Sequence, residues 1–307
     1  MVNPDTTYAI EAVAVCKSFW ATRSEDSKAP DTGASAGTSA ASGKSGAAVS
    51  ALTAVARILM PHRRKTLAVD HISFQIAPGE IFGVVGPNGS GKSTLIRMMS
   101  TLLYPDEGII TILGRDVMKE PYKVRQLINR VSVEAAFFKK LSAYENLLYA
   151  ARLYGVPGKQ ALKRAHGILE TMGIEDGRLT DSLQEFSRGM QQKVAIARSL
   201  ITDPPVLLLD EPTTGLDPRS KRDVQTFLLD TNKRSGTTIF LTSHDMVEIE
   251  RMCHRVAIIH KGRFVIEGTV AELKALALGD GAAAGTLEDV FIKVTGEEWL
   301  AEEDESD

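Results

Sequence analysis

A nine-residue stretch, GPNGSGKST at residues 86–94, has residue types and a spacing suited to phosphate binding. It fits the pattern G-x-x-x-x-G-K-[ST] and lies between a predicted strand and a predicted helix over residues 93–102. Glycine permits the dihedrals that let several backbone N–H groups face one phosphate, and a helix N-terminus adds partial positive charge. We expect Lys92 to reach the β- and γ-phosphates of a nucleotide and Ser93 to bind Mg²⁺. The residues of this phosphate loop are Gly86, Pro87, Asn88, Gly89, Ser90, Gly91, Lys92, Ser93 and Thr94.

Two adjacent carboxylates supply the groups that such a loop needs for hydrolysis. Residues 206–209 are all apolar and predict a buried strand, and Asp210 and Glu211 follow it directly. Ligands of α/β sheets bind at the carboxyl ends of the strands. We therefore expect Asp210 to contact Mg²⁺ through water and Glu211 to polarise the attacking water.

A third stretch, FSRGMQQ at residues 186–192, precedes a predicted helix over residues 194–200. Serine and glycine at a helix N-terminus favour binding of an anion. This stretch therefore predicts a second anion-binding end in the same chain.

Four motifs, in chain order, resemble those of the ABC (ATP-binding cassette) ATPases. They are GPNGSGKST, the signature-like FSRGMQQ, LLLDEPTTGLD at residues 207–217, and Ser243-His244-Asp245. The resemblance covers about residues 8–270. It implies an α/β fold with a P-loop NTPase (RecA-like) core, an antiparallel β subdomain and an α-helical subdomain over about residues 116–190.

The resemblance also implies that the phosphate loop is half of a site. In ABC proteins two cassettes lie head to tail, and ATP on one phosphate loop is covered by the signature of the other. Ser187 and Gly189 would contact the γ-phosphate held by a second copy, and Asp217 would lie at the junction. The nucleotide-binding residues of the signature would be Ser187, Arg188, Gly189 and Met190.

Two further roles come from the same resemblance. His244 would contact the γ-phosphate, so that the catalytic residues would be Lys92, Glu211 and His244. An aromatic residue near the N-terminus stacks on adenine in this family. Phe19 fits this role, and Trp20 is the alternative.

The sequence departs from the family pattern at two motifs. Arg188 replaces the first glycine of the signature and Met190 replaces its glutamine, a form similar to that of ABC-2 exporters. A glutamine that contacts Mg²⁺ in the family is missing near residue 133, and Glu134 is the nearest substitute. Glu134 would then join Ser93 and Asp210 as a metal-binding residue.

Apolar patterns predict the elements that position these motifs. Strands are expected over residues 8–19, 81–85, 109–113, 206–209, 238–242, 256–259 and 264–266. Residues 120–200 are expected to be mainly helical, with a capping box formed by Ser142 and Glu145. Strands separated by helices predict a mainly parallel sheet.

We assign residues 1–20 and 66–270 to one ATPase domain. Residues 21–50 contain one valine and no larger apolar residue, and are predicted to be disordered. Residues 51–65 predict a short amphipathic basic helix that either rests on a membrane surface or a partner, or closes the insertion. Residues 271–296 are assigned to a C-terminal helical extension similar to the ending of export ATPases. Residues 297–307, with seven carboxylates, are assigned to an acidic tail.

Bulk composition limits the classes of partner. The net charge of -3 gives no basic excess, so we predict no nucleic acid partner. Cys16 and Cys253 are far apart and are expected to be free thiols in a reducing compartment. No apolar run reaches the length of a membrane helix, so we expect a soluble chain with a peripheral membrane role.

These observations predict the ATP-binding and ATP-hydrolysing subunit of an ABC transporter of the exporter type. It would bind ATP and Mg²⁺, form a homodimer, and drive separate integral membrane permease subunits from the cytoplasmic face of the membrane. The alternative is a non-transport ABC ATPase, such as one for iron–sulfur assembly. A third interpretation, a nucleotide-binding scaffold without turnover, is disfavoured because Glu211 is present.

Overall fold

The computed structural model of this protein describes residues 7–21, 64–133, 136–277 and 285–297. The chain divides into two compact units, one of Met1–Lys17 with Ala68–Asp307 and one of Ser18–Leu67. The strands of the described residues are β1 (Ile10–Ala21), β2 (Arg64–Ile76), β3 (Ile81–Val85), β4 (Glu107–Ile112), β5 (Arg115–Asp116), β6 (Ile128–Val131), β7 (Val206–Asp210), β8 (Thr238–Ser243), β9 (Arg255–His260) and β10 (Arg263–Thr269).

The helices alternate with the strands through most of the chain. Those of the described residues are α1 (Lys92–Met99), α2 (Pro121–Leu127), α3 (Ala143–Leu153), α4 (Gly158–Thr171), α5 (Arg188–Ser199), α6 (Pro218–Ser235), α7 (Met246–Met252), α8 (Val270–Ala277) and α9 (Leu287–Thr295). Both cysteines are free, as predicted.

A six-stranded sheet carries the phosphate loop and the catalytic carboxylates. Its order is β10-β9-β3-β8-β7-β6, and all its pairs are parallel except β9 with β10. Alternate residues of β7 join two different apolar clusters, Leu207 with one and Leu208 with the other. Both faces of the sheet are therefore covered, which explains why the central strands are apolar throughout. The predicted mainly parallel sheet is confirmed.

A second, four-stranded sheet has the order β2-β1-β4-β5. Strands β1 and β4 are antiparallel and pair Ile10 with Ile112, both of which are buried. The predicted fold class, a P-loop core with an antiparallel β subdomain and a helical subdomain, is confirmed.

Helix α3 begins with the predicted capping box. The Ser142 hydroxyl accepts a bond from the Glu145 N–H, and the Glu145 carboxylate accepts one from the Ser142 N–H. Helix α4 stops before Gly173, whose φ of +76° is the left-handed conformation that glycine favours. Leu147 of α3 and Leu169 of α4 pack in one apolar core.

Two predicted helix boundaries were wrong. Helix α1 ends at Met99 rather than at residue 102, because Thr101 turns left-handed at φ +60° and the Leu102 N–H bonds back to the Arg97 carbonyl. Helix α5 begins at Arg188, six residues before the predicted start, because Ser187 caps it. Met190 is the only large apolar residue of the first turn, so apolar periodicity did not indicate where the helix starts.

The predicted insertion is shorter at both ends than expected. Ala21, assigned to the disordered segment, ends β1, and residues 64–65, assigned to the basic helix, begin β2. These two strands are neighbours in the same sheet. The rest of the predictions for residues 21–65 lies outside the described residues, as does the acidic tail beyond Glu297.

Candidate functional site

The phosphate loop joins the end of β3 to the start of α1. Gly91, at φ +113°, is the N-cap of α1, and no side chain of the described residues caps that helix end. The first-turn N–H groups of α1 are therefore left facing the loop, as an anion site requires. A cleft of about 130 Å³ opens above the loop and is lined by Ala68, Asn88, Gly89, Gly91, Lys92, Ser93, Thr94 and Glu211.

Close packing explains two of the loop glycines. A Cβ at Gly86 would lie 2.2 Å from the Ile259 carbonyl oxygen, and one at Gly91 would lie 2.2 Å from the Ala68 carbonyl oxygen. Backbone atoms cannot move away as a flexible side chain can, so any larger residue would displace the loop. The cradle is thus held from behind by the strands that flank it.

Lys92 is folded onto its own loop. Its ammonium donates to the carbonyl oxygens of Gly86, at 2.7 Å, and Pro87, at 3.2 Å. It also lies 3.3 Å from Oε1 of Glu211, in an ion pair that is almost fully buried. A buried ammonium needs such partners to offset its loss of water.

Ser93 and Asp210, two of the three residues expected to bind the metal, lie together. The Ser93 hydroxyl and the Thr242 hydroxyl each donate to Oδ1 of Asp210 at 3.0 Å. The Ser90 hydroxyl is buried and has no hydrogen-bond partner among the described residues. Hydroxyl and carboxylate oxygens are the ligand types that Mg²⁺ prefers, so the donor set fits that ion.

Glu211 lies where the strand β7 gives way to a strained turn. Its φ of +49° is uncommon for a residue with a side chain, and such strain is concentrated at functional sites. Burial by itself would raise the pKa of Glu211. The hydrogen bond to His244 and the charge of Lys92 outweigh it and lower that pKa to about 2. The carboxylate is therefore ionised at neutral pH.

His244 follows β8 and faces Glu211. Its Nδ1 lies 3.0 Å from Oε2 of Glu211. The bond to Glu211 raises the pKa of His244 above its usual value, against the opposing effect of burial. The pair can hold a proton between β7 and β8 at the edge where the phosphates of a nucleotide would lie.

The signature residues form a second cluster at the start of α5. The Ser187 hydroxyl accepts a bond from the Met190 N–H at 3.2 Å, and Met190 packs against the apolar core. A Cβ at Gly189 would lie 2.6 Å from the Ser220 hydroxyl, so this position must be small. The Arg188 guanidinium lies flat against the backbone of Gly215, where an added Cβ would lie 2.3 Å from it.

Asp217 belongs to the same cluster. Its carboxylate caps α6 by accepting bonds from the N–H groups of Arg219, at 3.0 Å, and Ser220, at 2.9 Å. A hydrogen bond from the Ser220 side chain, together with these backbone bonds, lowers the pKa of Asp217. The signature and Asp217 therefore form one surface at the helix N-termini of α5 and α6.

The predicted site residues thus fall into two groups. Lys92, Ser93, Asp210, Glu211 and His244 meet around the phosphate loop, whereas the signature lies with Asp217. No signature residue is among the described residues that line the cleft above the loop.

The remaining predicted positions are the two aromatic residues near the N-terminus and Glu134. Phe19 and Trp20 lie near the end of β1 in the Ser18–Leu67 unit, with exposed rings. Glu134 lies outside the described residues.

Sequence reasoning missed two hydroxyl residues that contact the carboxylates. Thr242 is fully buried in β8 and donates to Asp210 at 3.0 Å. Thr214 donates to Oε2 of Glu211 at 3.2 Å. A threonine directly after three apolar residues of a predicted strand was the available signal for Thr242.

An apolar groove lies on the helical segment. It has a volume of about 300 Å³, and its wall includes an edge-to-face pair, Phe138 and Tyr149, with ring centroids 5.0 Å apart. The Arg198 guanidinium lies 4.5 Å from the centre of the Phe137 ring. Leu153 and Tyr154 line the groove and are exposed.

Comparisons with known proteins agree with this geometry. A family model described as "ABC transporter" matches residues 69–214. The chain is 41% identical over 214 residues to the daunorubicin resistance ATP-binding protein DrrA3 of Streptomyces coeruleorubidus. This match covers 69% of this chain and 67% of that protein. It is 38% identical over 223 residues to the ABC transporter ATP-binding protein NatA of Bacillus subtilis (strain 168), covering 72% of this chain and 90% of that protein.

A solved structure described as the ATP binding subunit of an ABC transporter has the same fold. Its TM-score is 0.67 at 28% identity, and the match covers 75% of this chain and 93% of that one. Among the described residues, no helix combines the length and the apolar character needed to cross a membrane.

Proposed function

Because the chain belongs to the ABC transporter family and is an ATPase, we propose that it powers export through separate membrane subunits by closing around ATP with a second copy of itself. The phosphate-side chemistry is supplied by one chain: a loop for the phosphates, a carboxylate pair and a histidine. The covering surface is supplied by the other.

One observation carries this proposal. Lys92, Ser93 and Glu211 line a cleft of only about 130 Å³, well below the roughly 300–1,000 Å³ of ordinary ligand pockets. The chain's second anion-binding end, at Ser187, belongs to another cluster. A shallow cleft with a spare anion-binding end elsewhere is what a site shared between two copies requires.

The ion pair between Lys92 and Glu211 suggests how the site becomes active. Arriving phosphates compete for the Lys92 ammonium, and Glu211 loses the cation that helps to keep its pKa low. A base works best when its pKa approaches the working pH, so the freed carboxylate polarises the attacking water more strongly. His244 keeps Glu211 in position and faces the γ-phosphate.

Mg²⁺ would be held by Ser93 and, through water, by Asp210, and would neutralise charge on the β- and γ-phosphates. Thr242 keeps the Asp210 carboxylate in place. Ser187 and Gly189 of the second copy would donate to the γ-phosphate from the N-terminus of α5. Phe19 would stack on adenine.

The partner and the direction of transport are inferred from chemistry and from relatives. The groove around Phe138 and Tyr149 is apolar with a basic edge at Arg198, which suits a short amphipathic helix of a membrane subunit. The matched daunorubicin resistance protein is named for resistance to a drug. We therefore propose that this chain works at the cytoplasmic face of the membrane with an exporter of apolar compounds.

The enzyme's own concentration dependence tests the shared site. Specific ATPase activity of the purified chain should rise with protein concentration and level off once dimers predominate. A specific activity that stays constant on dilution below the dimerisation range would refute the proposal. Membrane subunits should be recovered with the Glu211→Gln variant from detergent extracts of cells.

A further inference from the structure

Glu248 is a buried carboxylate with no assigned part in nucleotide binding. It lies in the first turn of α7 and is 2% exposed. Burying a charged group is costly unless it is fully hydrogen-bonded. Its partners therefore indicate what it holds in place.

The carboxylate joins three segments of the chain. Oε1 accepts bonds from the Thr213 hydroxyl, at 2.6 Å, and from the Gln225 amide, at 3.3 Å. Oε2 accepts a bond from the Ser243 hydroxyl at 2.7 Å. All three donors are neutral and buried, so the bonds lie in a low dielectric and are strengthened by the charge on one partner.

Each segment leads to a residue of the proposed site. Thr213 lies between Glu211 and Asp217, and Ser243 immediately precedes His244. Gln225 belongs to α6, the helix that Asp217 caps.

A second connection lies beside the first. The Asp245 carboxylate caps α7 by accepting a hydrogen bond from the Glu248 N–H at 2.9 Å. The Lys221 ammonium of α6 also donates to the Asp245 carboxylate. The Ser243 hydroxyl also accepts the Asp245 N–H at 3.0 Å. The segment that carries His244 is therefore tied to α6 at two points one turn apart.

We propose that Glu248 is a positioning residue that couples His244, which faces the nucleotide of its own chain, to Asp217, which faces the second copy. A shift of His244 on nucleotide binding moves Ser243, and the shared carboxylate passes the shift to the Thr213 segment and α6. This inference rests on the proposed dimeric site. It concerns how the two halves are aligned and assigns Glu248 no contact with ATP.

Glu248→Ala tests the coupling through the separation of kcat from KM. We expect kcat to fall between about 10- and 100-fold, because small misplacements of catalytic groups have effects of this size. KM for ATP should change little, because the phosphate loop is untouched.

Glu248→Gln should restore most of the activity. Its amide oxygen can accept from Thr213 and Gln225 while its NH₂ donates to Ser243. Glu250→Ala is the matched control on the same helix. Glu250 bonds to Lys274 and to the Leu287 N–H, away from the site, and its loss should leave kcat unchanged.

A conservative variant covers the case in which Glu248→Ala does not fold. Thr213→Val keeps the side-chain shape and removes one hydrogen bond. It should lower kcat by about 3- to 10-fold, less than Glu248→Ala because two of the three hydrogen bonds remain, again at constant KM. Thermal melting of each variant reports folding independently.

The Glu211→Gln background separates this proposal from the proposed function. Glu211→Gln should form a dimer with ATP in size-exclusion chromatography. Glu211→Gln with Glu248→Ala should bind ATP equally well as a monomer and need at least about tenfold more protein to dimerise, a change of about 1.4 kcal/mol.

The outcomes separate clearly. Failure of Glu211→Gln itself to dimerise with ATP refutes the shared site. A Glu211→Gln dimer that is equally strong with and without Glu248 overturns the coupling alone. A rise in KM that matches the fall in kcat, or no rescue by glutamine in a folded protein, also overturns it.

Discussion

Replacing Glu211 with glutamine gives the strongest test of the site, because it removes one charge and almost no volume. The amide cannot accept the proton of the attacking water. It also removes the carboxylate charge that lies 3.3 Å from the Lys92 ammonium, and weakens the bond to His244. We expect turnover to fall by at least about 100-fold, which corresponds to about 2.7 kcal/mol in the barrier.

ATP binding should survive the same substitution. The backbone cradle from Gly86 to Gly91 and the Lys92 ammonium are unchanged, and Lys92 no longer has to leave a carboxylate to reach the phosphates. The variant should therefore accumulate a nucleotide-bound dimer. Phosphate release over a single turnover measures the rate, and size-exclusion chromatography with ATP and Mg²⁺ measures the dimer.

The pKa values of the pair predict how the substitution affects stability at different pH. The lowering of the Glu211 pKa from 4.5 to about 2 corresponds to a preference of about 3 kcal/mol for the charged carboxylate in the folded chain. A lowered pKa stabilises the fold above about pH 4.5, and this stabilisation is lost as the pH falls toward 2.

The pKa shift of His244 has the opposite sign to that of Glu211. Its raised pKa stabilises the fold below about pH 6.5, the ordinary histidine value, and this stabilisation disappears as the pH rises through the raised value. The stability difference between wild type and Glu211→Gln should therefore be largest between about pH 4.5 and 6.5. Above the raised His244 pKa it should shrink to the share that comes from Lys92. Urea unfolding at pH 5.5 and pH 9 measures the difference.

An exposed glutamate provides the control. Glu175→Gln, on the surface before a short 3₁₀ turn, should change neither turnover nor the pH dependence. Wild-type turnover in Glu211→Gln would refute the assignment of the base. Equal stability differences at pH 5.5 and pH 9 would refute the role of the His244 pair.

Four other predictions test separate parts of the assignment. Lys92→Ala should abolish tight ATP binding in equilibrium dialysis, and unchanged affinity would contradict the phosphate-loop assignment. Gly91→Ala should also lose ATP binding, because its Cβ would lie 2.2 Å from a backbone oxygen. Gly89→Ala has open space around the new Cβ and should keep ATP binding, at a cost of about 1–2 kcal/mol in stability. Equal losses of ATP binding in the two variants would refute the steric reasoning. Glu134→Gln should alter basal or partner-stimulated ATPase activity, and no change in either would exclude Glu134 from the site. Deleting residues 22–50 should leave ATPase activity nearly intact, and aggregation of that variant would contradict its assignment to a disordered insertion.

The sequence was most informative where function constrains residues that are close in the chain. The phosphate loop requires glycine for dihedrals and close approach within a few residues, so Gly86 and Gly91 could be predicted without a structure. The strand ending in Asp210 was equally predictable, because four apolar residues in a row leave few alternatives to a buried strand. The resemblance to ABC ATPases, which rests on such local motifs, is confirmed by the comparisons.

Contacts between distant segments were not predictable in the same way. Glu248 lies 35 residues from Thr213 and 23 from Gln225, and nothing in its local pattern distinguishes it from an exposed helix residue. The start of α5 was missed because Met190 is the only large apolar residue of its first turn and the apolar run begins at Val194. The requirement for a small residue at Gly189 comes from Ser220 and Asp217, which lie later in the chain.

The Lys92–Glu211 pair connects the incompleteness of the site to its chemistry. A carboxylate with a pKa of about 2 is a weak base at neutral pH, because its affinity for a proton lies far below that of a well-matched catalyst. The lysine that we expect to hold the phosphates therefore also lowers the proton affinity of the proposed base. In the proposed dimer, ATP would draw Lys92 away from Glu211 and the second copy would supply the cover. An ATPase built this way would avoid turnover by isolated chains without a separate inhibitory segment.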